Sequence, residues 1–226
     1  MRRRMVFGFR FSLILILFIL PAFRCDAQVL SGEVFAGTAW NLPTNLKIKQ
    51  PGENDIVFKA RYRTRPFVGS PYYAYRVGFQ QWSLELVHHK LYLQNPPPEI
   101  EHFEVSHGYN MVMLSRALSY MQNPSLFRLG FGIVVGHPEG SIRGRKINPV
   151  KSLLGGGYHL SGISFQASIG PQLKITDHWF FRPEAKLTAA WARFPLVGGG
   201  SARVPNIAFH TLVGVGYQGS YKGAAR

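Results

Sequence analysis

The sequence predicts an all-β fold: an eight-stranded antiparallel up-and-down barrel that crosses a membrane with its strands. Three observations predict it. Eight runs with apolar/polar alternation lie between Leu30 and Tyr217. Their connections alternate between long and short, which puts tight turns on one side and loops on the other. Beyond Ala27 no apolar run reaches the roughly 18 residues that a spanning helix needs, so any crossing is made by strands.

The N-terminus reads as a removable export signal. Arg2, Arg3 and Arg4 form a positive region, Phe11 to Leu20 is apolar apart from Ser12, and Pro21 ends it. Cys25-Asp26-Ala27 before Gln28 gives a cleavage site with Ala in last position. A membrane helix would need about 20 apolar residues. A lipid anchor on Cys25 would need a small residue where Arg24 stands. The expected organisation is a signal peptide over 1–27 and one barrel domain over 28–226. The only cysteine leaves with the signal, so no intrachain disulfide is expected, and a closed barrel needs none.

The whole chain carries a formal charge of +15. The signal removes five arginines and one aspartate, which leaves +11. A basic excess first suggests nucleic acid. An exported protein rarely meets it, so outer-membrane lipid and lipopolysaccharide phosphates are the expected partners and nucleic acid is not.

The strands are expected at 30–41, 71–80, 82–93, 107–120, 126–137, 158–175, 179–193 and 206–219. The second and third are joined by a two-residue turn at Gln80-Gln81. The fourth is ambiguous, because Met111, Val112, Met113 and Leu114 blur both faces. In the fifth, Phe127, Leu129, Phe131, Ile133 and Val135 oppose Arg128, Gly130, Gly132 and Gly136. The sixth alternates most cleanly, with Ile163, Phe165, Ala167 and Ile169 against Ser164, Gln166, Ser168 and Gly170. In the seventh, Ala185, Leu187, Ala189 and Trp191 oppose Arg182, Glu184, Lys186 and Thr188. In the eighth, Ile207, Phe209, Val213, Val215 and Tyr217 oppose Asn206, His210, Gly214 and Gly216. Period-two order is the signature of a strand with two unlike faces. Pro96-Pro97-Pro98, Gly155-Gly156-Gly157 and Gly198-Gly199-Gly200 fall in expected loops, where they interrupt nothing.

Alternation alone does not say which face looks out. A soluble barrel of the lipocalin type would turn the apolar face inward. Three features favour the inverted arrangement. Gly and Ser crowd the polar face, which suits the narrow lumen of eight strands. Tyr72, Tyr73, Tyr75, Trp82, Tyr92, Tyr109, Trp179, Phe180, Phe181 and Trp191 cluster near strand ends, where interfacial girdles sit. The connections also sort by side: Gln80-Gln81, Gln122 to Ser125 and Thr176 to His178 as periplasmic turns, and 42–70, 94–106, 138–157 and 194–205 as outward loops. Alternation over residues 54–65 extends the second strand above the membrane or pairs with the end of the first.

From Gly32-Glu33-Val34-Phe35-Ala36-Gly37 to Val213-Gly214-Val215-Gly216-Tyr217, this chain resembles the eight-stranded outer-membrane barrels of Gram-negative bacteria, the group containing the OmpA transmembrane domain. The resemblance rests on strand count, loop asymmetry and Gly/aromatic composition over residues 28–226. It implies an exported, monomeric protein of the outer membrane, inserted by the barrel assembly machinery. Such barrels commonly end on an aromatic residue read by that machinery. Here the chain ends Tyr221-Lys222-Gly223-Ala224-Ala225-Arg226, so Tyr217 or Tyr221 would serve as an internal signal.

Four sets of residues could carry function. The turn at Gln80-Gln81 pairs Phe79 with Trp82, Gly78 with Ser83, and Arg76 with Glu85. Arg76 and Glu85 are thus expected to face each other in the lumen, in a network with Glu33, Arg116, Arg128, Glu184 and Lys186. Such a network plugs the barrel or gates a pore, and eight strands leave room for side chains rather than a water column. His159 and Ser161, two apart on one strand, are expected on the lipid face near the outer rim. A serine beside a base is the minimum for acyl transfer, and the pair looks like the His-x-Ser of barrel-type lipid A deacylases, without the downstream acidic residue. His88, His89, His102 and His107 could suggest a metal, but adjacent strand residues point to opposite faces, so no metal and no cofactor is expected. Last, Arg61, Arg63 and Arg65 of the first loop and Arg143, Arg145 and Lys146 of the third are expected to contact lipopolysaccharide, since Arg binds phosphate with two donors. The expected role is structural or surface-interacting rather than enzymatic, with a lipid A acyl-ester hydrolase as the alternative.

Overall fold

The computed structural model describes residues 28–118, 125–147 and 156–221. The expected signal peptide, most of the turn at 122–125 and the C-terminal residues after Tyr221 lie outside them. The described chain forms fourteen strands: β1 (Gln28–Leu42), β2 (Thr44–Lys49), β3 (Ile56–Ala60), β4 (Tyr62–Arg63), β5 (Tyr73–Phe79), β6 (Trp82–Leu93), β7 (Ile100–Leu118), β8 (Ser125–Gly136), β9 (Glu139–Ile142), β10 (Arg145–Lys146), β11 (His159–Pro171), β12 (Leu173–Lys174), β13 (Trp179–Pro195) and β14 (Ser201–Tyr221).

Eight of them close a ring. The order is β1, β5, β6, β7, β8, β11, β13, β14 and back to β1, antiparallel at every step. Closure satisfies the strand edges that an open sheet would leave bare. Five of the remaining six decorate one end, while β12 continues β11 at the opposite end against the start of β13. β2 and β3 form a hairpin whose first strand adds to the start of β14. β9 and β10 form a second hairpin against the outer end of β7. β4 fills the gap above the short β5, bonded to β1 on one side and β6 on the other. Within residues 54–65, β3 forms its hairpin with β2 rather than with the end of β1, while β4 prolongs the second ring strand and meets the end of β1 at Trp40. The outer loops are shorter than expected, because β7 already begins at Ile100 and β14 at Ser201.

The apolar face looks out along the middle of the ring. Leu30, Val34, Val77, Leu84, Phe131, Ile133, Ile163, Phe165, Leu187, Phe209, Val213 and Val215 are all exposed. Glu33, Arg76, Glu85, Arg182, Glu184, Lys186, His89 and His210 are buried. Burying charges while exposing a continuous band of large apolar side chains is stable only where lipid surrounds the wall.

The code inverts towards the decorated end. On β13, Leu187 and Trp191 face outward, but the next outward residue is Arg193, while Ala190, Ala192 and Phe194 are buried. On β14, Arg203 is exposed between buried Ala202 and Val204. On β2, Leu46 and Ile48 are buried and Lys49 is exposed. There the wall has left lipid for water, so its inner face must be apolar. Leu46, Ile48, Ile56, Leu91, Ile100, Phe103, Val105, Tyr109, Ile142, Phe194, Leu196 and Val204 fill this half in one cluster. Ion pairs and glycines therefore fill only part of the interior.

Three residues expected in the aromatic girdle are inside instead. Tyr72, Tyr109 and Phe180 are buried. Tyr72 lies on the face of Ala74 and Arg76, and Phe180 on that of Arg182, so strand parity overrides their position near a strand end. Tyr75, Trp179 and Trp191 do stand exposed on the wall.

Candidate functional site

The hairpin register dictates the centre of the lumen. Phe79 opposes Trp82, Gly78 opposes Ser83 and Arg76 opposes Glu85. Ring closure then sets Glu33 of β1 beside Arg76 on its other side. Arg76 Nη2 donates to Glu85 Oε2 at 3.1 Å and to Glu184 Oε1 at 2.8 Å, and its Nη1 lies 3.4 Å from Glu33 Oε2. Lys186 bonds Glu85 and lies 3.4 Å from Glu184. Gln166 Nε2 donates to Glu85 Oε2 at 2.9 Å and to Ser115 Oγ at 2.5 Å. One arginine thus bridges three carboxylates from three strands. A buried charge deprived of its partner is costly, so each member holds the others in place.

Arg182 extends the cluster towards the short-turn end. Its Nε donates to Glu33 Oε2 at 2.6 Å, and its other nitrogens reach Gly170 O and Gln172 Oε1. Arg128 donates to Ser83 Oγ at 3.2 Å and lies 4.0 Å from Glu33. Sequence reasoning leaves out Arg182 and Gln166 as members, although Arg182 shares the inward face of Glu184 and Lys186. Arg116 is a correction. Ser115 is the inward residue of that pair, so Arg116 points out, and its guanidinium lies 5.5 Å from the Trp82 ring centroid. Four cations, Arg76, Arg128, Arg182 and Lys186, face three carboxylates, Glu33, Glu85 and Glu184.

Two of the cations rest on rings that need glycines behind them. The Arg76 guanidinium lies 4.8 Å from the Phe35 centroid and that of Arg182 lies 5.2 Å from Phe180. Phe35 pairs with Gly214 and Phe180 with Gly216. A Cβ at Gly214 would stand 2.4 Å from Phe35, and one at Gly216 2.2 Å from Phe180. The glycines of β14 are spaces into which the rings fold.

Above the ions lies a layer of hydroxyls, amides and imidazoles. His210 is within hydrogen-bond distance of Tyr72 Oη on Nδ1 (2.5 Å) and of Thr188 Oγ1 on Nε2 (2.8 Å). His89 Nε2 meets Asn41 Oδ1 at 2.9 Å, and Asn206 Nδ2 donates to the same oxygen at 2.8 Å. Asn41 Nδ2 donates to Thr64 Oγ1 at 3.1 Å. Beyond it Tyr109 Oη donates to Val204 O at 2.8 Å and the apolar cluster begins. The interior passes from ions to amides and imidazoles to hydrocarbon.

The basic residues divide into two groups. Arg61, Arg63 and Arg65 are exposed while Tyr62 and Thr64 between them are buried. Three guanidinium stems thus stand on the outer side, with only Arg63 in a strand and Arg65 just beyond β4 at a φ of 48°. Arg63 is the direct partner of Trp40, an exposed ring that stacks on Phe209. Arg65 lies over Tyr92, 5.0 Å from its centroid. A cleft of about 390 Å³ opens between Trp40, Asn41, Arg63 and Arg65. Phe67, two residues on, is 86% exposed. Arg143 and Arg145 behave differently. Arg143 donates to Gln50 Oε1 and Asn54 O, and both arginines approach Glu53. They clasp the β9–β10 hairpin to the β2–β3 hairpin. Lys146 is exposed.

His159 and Ser161 do not share the lipid face. The β11–β8 register shifts between Leu160 and Gly162, which makes Ser161 the extra residue of a bulge. Ser161 is buried, Leu160 and Ile163 are exposed, and Ser161 Oγ donates to the His159 carbonyl at 2.8 Å rather than to its ring. The histidines taken together from sequence also separate. His88 meets Asn110, His89 faces the lumen, and His102 pairs with Glu104 at 3.0 Å. His107 lies instead beside His137 and Glu139.

No family model matches the chain, and no curated protein does. Solved structures do. The chain is similar to the outer membrane protein OprG from Pseudomonas aeruginosa at 11% identity, over 87% of this chain and 97% of that one, with a TM-score of 0.42. It is similar to the outer membrane protein W of E. coli at 14% identity, over 84% and 97%, with a TM-score of 0.44. It is similar to the outer membrane protein AlkL at 10% identity, over 92% and 98%, with a TM-score of 0.44. At such identities the likeness concerns the arrangement of strands, and the closed ring above stands on its own pairings.

Proposed function

We propose that this protein is a plugged outer-membrane barrel whose outer wall holds lipopolysaccharide. One observation carries the reading: Arg61, Arg63 and Arg65 leave the wall together where the exposed face changes from apolar to charged. Phosphorylated lipid headgroups would lie at that height. Guanidinium groups bind phosphate through paired, charge-assisted hydrogen bonds, and an indole beside them is suited to the interface. Phe67 is placed to enter acyl chains beside the same headgroups. The chain's basic excess has the sign this contact needs.

The lumen suits a structural part rather than a conducting one. Its centre is occupied by cross-bonded side chains from β1, β5, β6, β11 and β13. In planar bilayers the protein is expected to give no steady conductance, and open steps in the unaltered barrel would overturn the plug. For the wall, the full exported chain in detergent is titrated with lipopolysaccharide micelles. The triple change Arg61→Glu, Arg63→Glu, Arg65→Glu is expected to weaken binding at least tenfold and to reduce its dependence on salt. Binding that survives this change at full strength would sink the proposal.

A further inference from the structure

We propose that His107, His137 and Glu139 form a binding site for a divalent transition-metal ion of the zinc type at the loop-bearing rim of the barrel. Glu139 Oε1 stands 3.1 Å from His107 Nδ1 and 3.1 Å from His137 Nε2. All three candidate ligand atoms lie within 4.8 Å of one another. Ligand atoms bound tetrahedrally at ~2.0 Å from zinc sit roughly 3.3 Å from each other, so a small rotation of the rings opens room for the ion.

The backbone builds this cluster. Between its pairs His89–Tyr109 and Leu91–Val105, β7 carries more residues than β6 does. The excess forms a bulge over Ser106–Gly108, with Gly108 at a φ of 123°. Without it His107 would follow Val105 and Tyr109 into the interior; with it His107 is exposed. Bulges commonly re-aim a side chain in this way. Tyr109 pairs with Gly136 at the end of β8, which brings His137 alongside, and β9 then delivers Glu139. Tyr158 fixes both partners: its hydroxyl donates to His107 O at 2.7 Å and its ring meets that of His137 edge-on at 5.2 Å.

The surroundings favour a cation. Glu104 is the direct cross-strand partner of Glu139. Like charges in that position repel. Glu104 accepts from Ser106 Oγ at 2.6 Å and pairs with His102, and it adds negative potential behind the ligands. Two imidazoles and one carboxylate suit zinc, copper or nickel, whereas magnesium and calcium prefer oxygen alone. Three ligands leave a further position towards solvent, so the ion would exchange readily.

The competing account is a carboxylate paired with two imidazoliums, and metal titration separates the two. The full exported chain, purified without a histidine tag and stripped with chelator, is titrated with Co²⁺. The expected result is one equivalent of a visible d–d band that Zn²⁺ displaces and Mg²⁺ does not. His137→Ala and Glu139→Gln should each weaken binding by more than the roughly 10–100-fold that loss of a supporting hydrogen bond costs, while keeping the gel shift of a folded barrel. His178→Ala, in the turn at the opposite end, should bind like the parent. No band, or a band that survives both His137→Ala and Glu139→Gln, would overturn the site.

Discussion

Arg76 and Glu85 face each other across a two-residue turn, with Arg76 Nη2 3.1 Å from Glu85 Oε2 at the centre of the lumen. Glu85 also holds Lys186 and Gln166. Glu85→Gln keeps the shape and removes the charge, which leaves two cations short of a partner. Loss of one partner of a buried pair costs about 3–5 kcal/mol. The midpoint of the heat-dependent gel shift in detergent is expected to fall, and an unchanged midpoint would show that the cluster does not hold the barrel.

Gly214 and Phe35 give a second test. Gly214→Val would drive Cβ into the ring, 2.4 Å away, and push Phe35 from beneath Arg76. Overpacking of this kind costs about 1–3 kcal/mol. Gly32, on the same sheet with nothing within 4 Å of its would-be Cβ, should accept alanine without loss. Equal behaviour of the two variants in urea unfolding would contradict the account of the glycines.

The change of code on β13 predicts where the membrane ends. Leu187 faces lipid and Arg193, six residues on, faces water. Leu187→Arg is expected to cost about 2–4 kcal/mol, the range for a cation near the bilayer midplane. Arg193→Leu should leave stability in vesicles nearly unchanged. If the two variants unfold alike, the boundary between Trp191 and Arg193 is misplaced.

The outer hairpins should respond to acid. Lys47 donates to Asp55 at 2.8 Å and holds its carboxyl below the ordinary value of 3.8. The Gly144 amide does the same for Glu101, below 4.5. A carboxyl whose folded value is depressed contributes above its unfolded value, and that contribution is lost as pH falls through the folded one. Amide protection in β2 and β3, with the intrinsic exchange rate divided out, should therefore be flat from pH 7 to about 5 and fall below about pH 4. In Asp55→Asn this fall should shrink, and an identical profile would remove Asp55 from the explanation.

Much of the fold is legible in the sequence because one rule, period two, governs most of it. The Gln80-Gln81 turn fixes a register, and that register sets Arg76 against Glu85 without further information. The rule fails where its premises do. Met111 to Leu114 carry no polarity contrast, so the facing of Arg116 two residues on has no local signal. Ser161 and the Ser106–Gly108 segment interrupt the alternation, and a regular strand puts His159 with Ser161 and leaves His107 away from His137. Tyr72, Tyr109 and Phe180 mislead because an aromatic near a strand end suits an interface by composition while parity turns it inward. Arg182 and His210 stand on a polar face that is correctly identified, but their partners come from distant strands, which a single strand's pattern does not reveal.

The hydrocarbon-filled upper chamber bears on biogenesis. Its walls carry Lys47, Lys49, Arg193 and Arg203 on the outside, and its filling comes from hairpins far apart in the chain. In the orientation proposed here, all of this must traverse the bilayer before it can assemble. Each arginine or lysine passing the midplane meets a barrier of roughly 2.5–3.5 kcal/mol or more. Unaided insertion into thick, intact vesicles should thus be slow and quicken where the bilayer is thinned or defective, whereas the lower half alone would raise little obstacle.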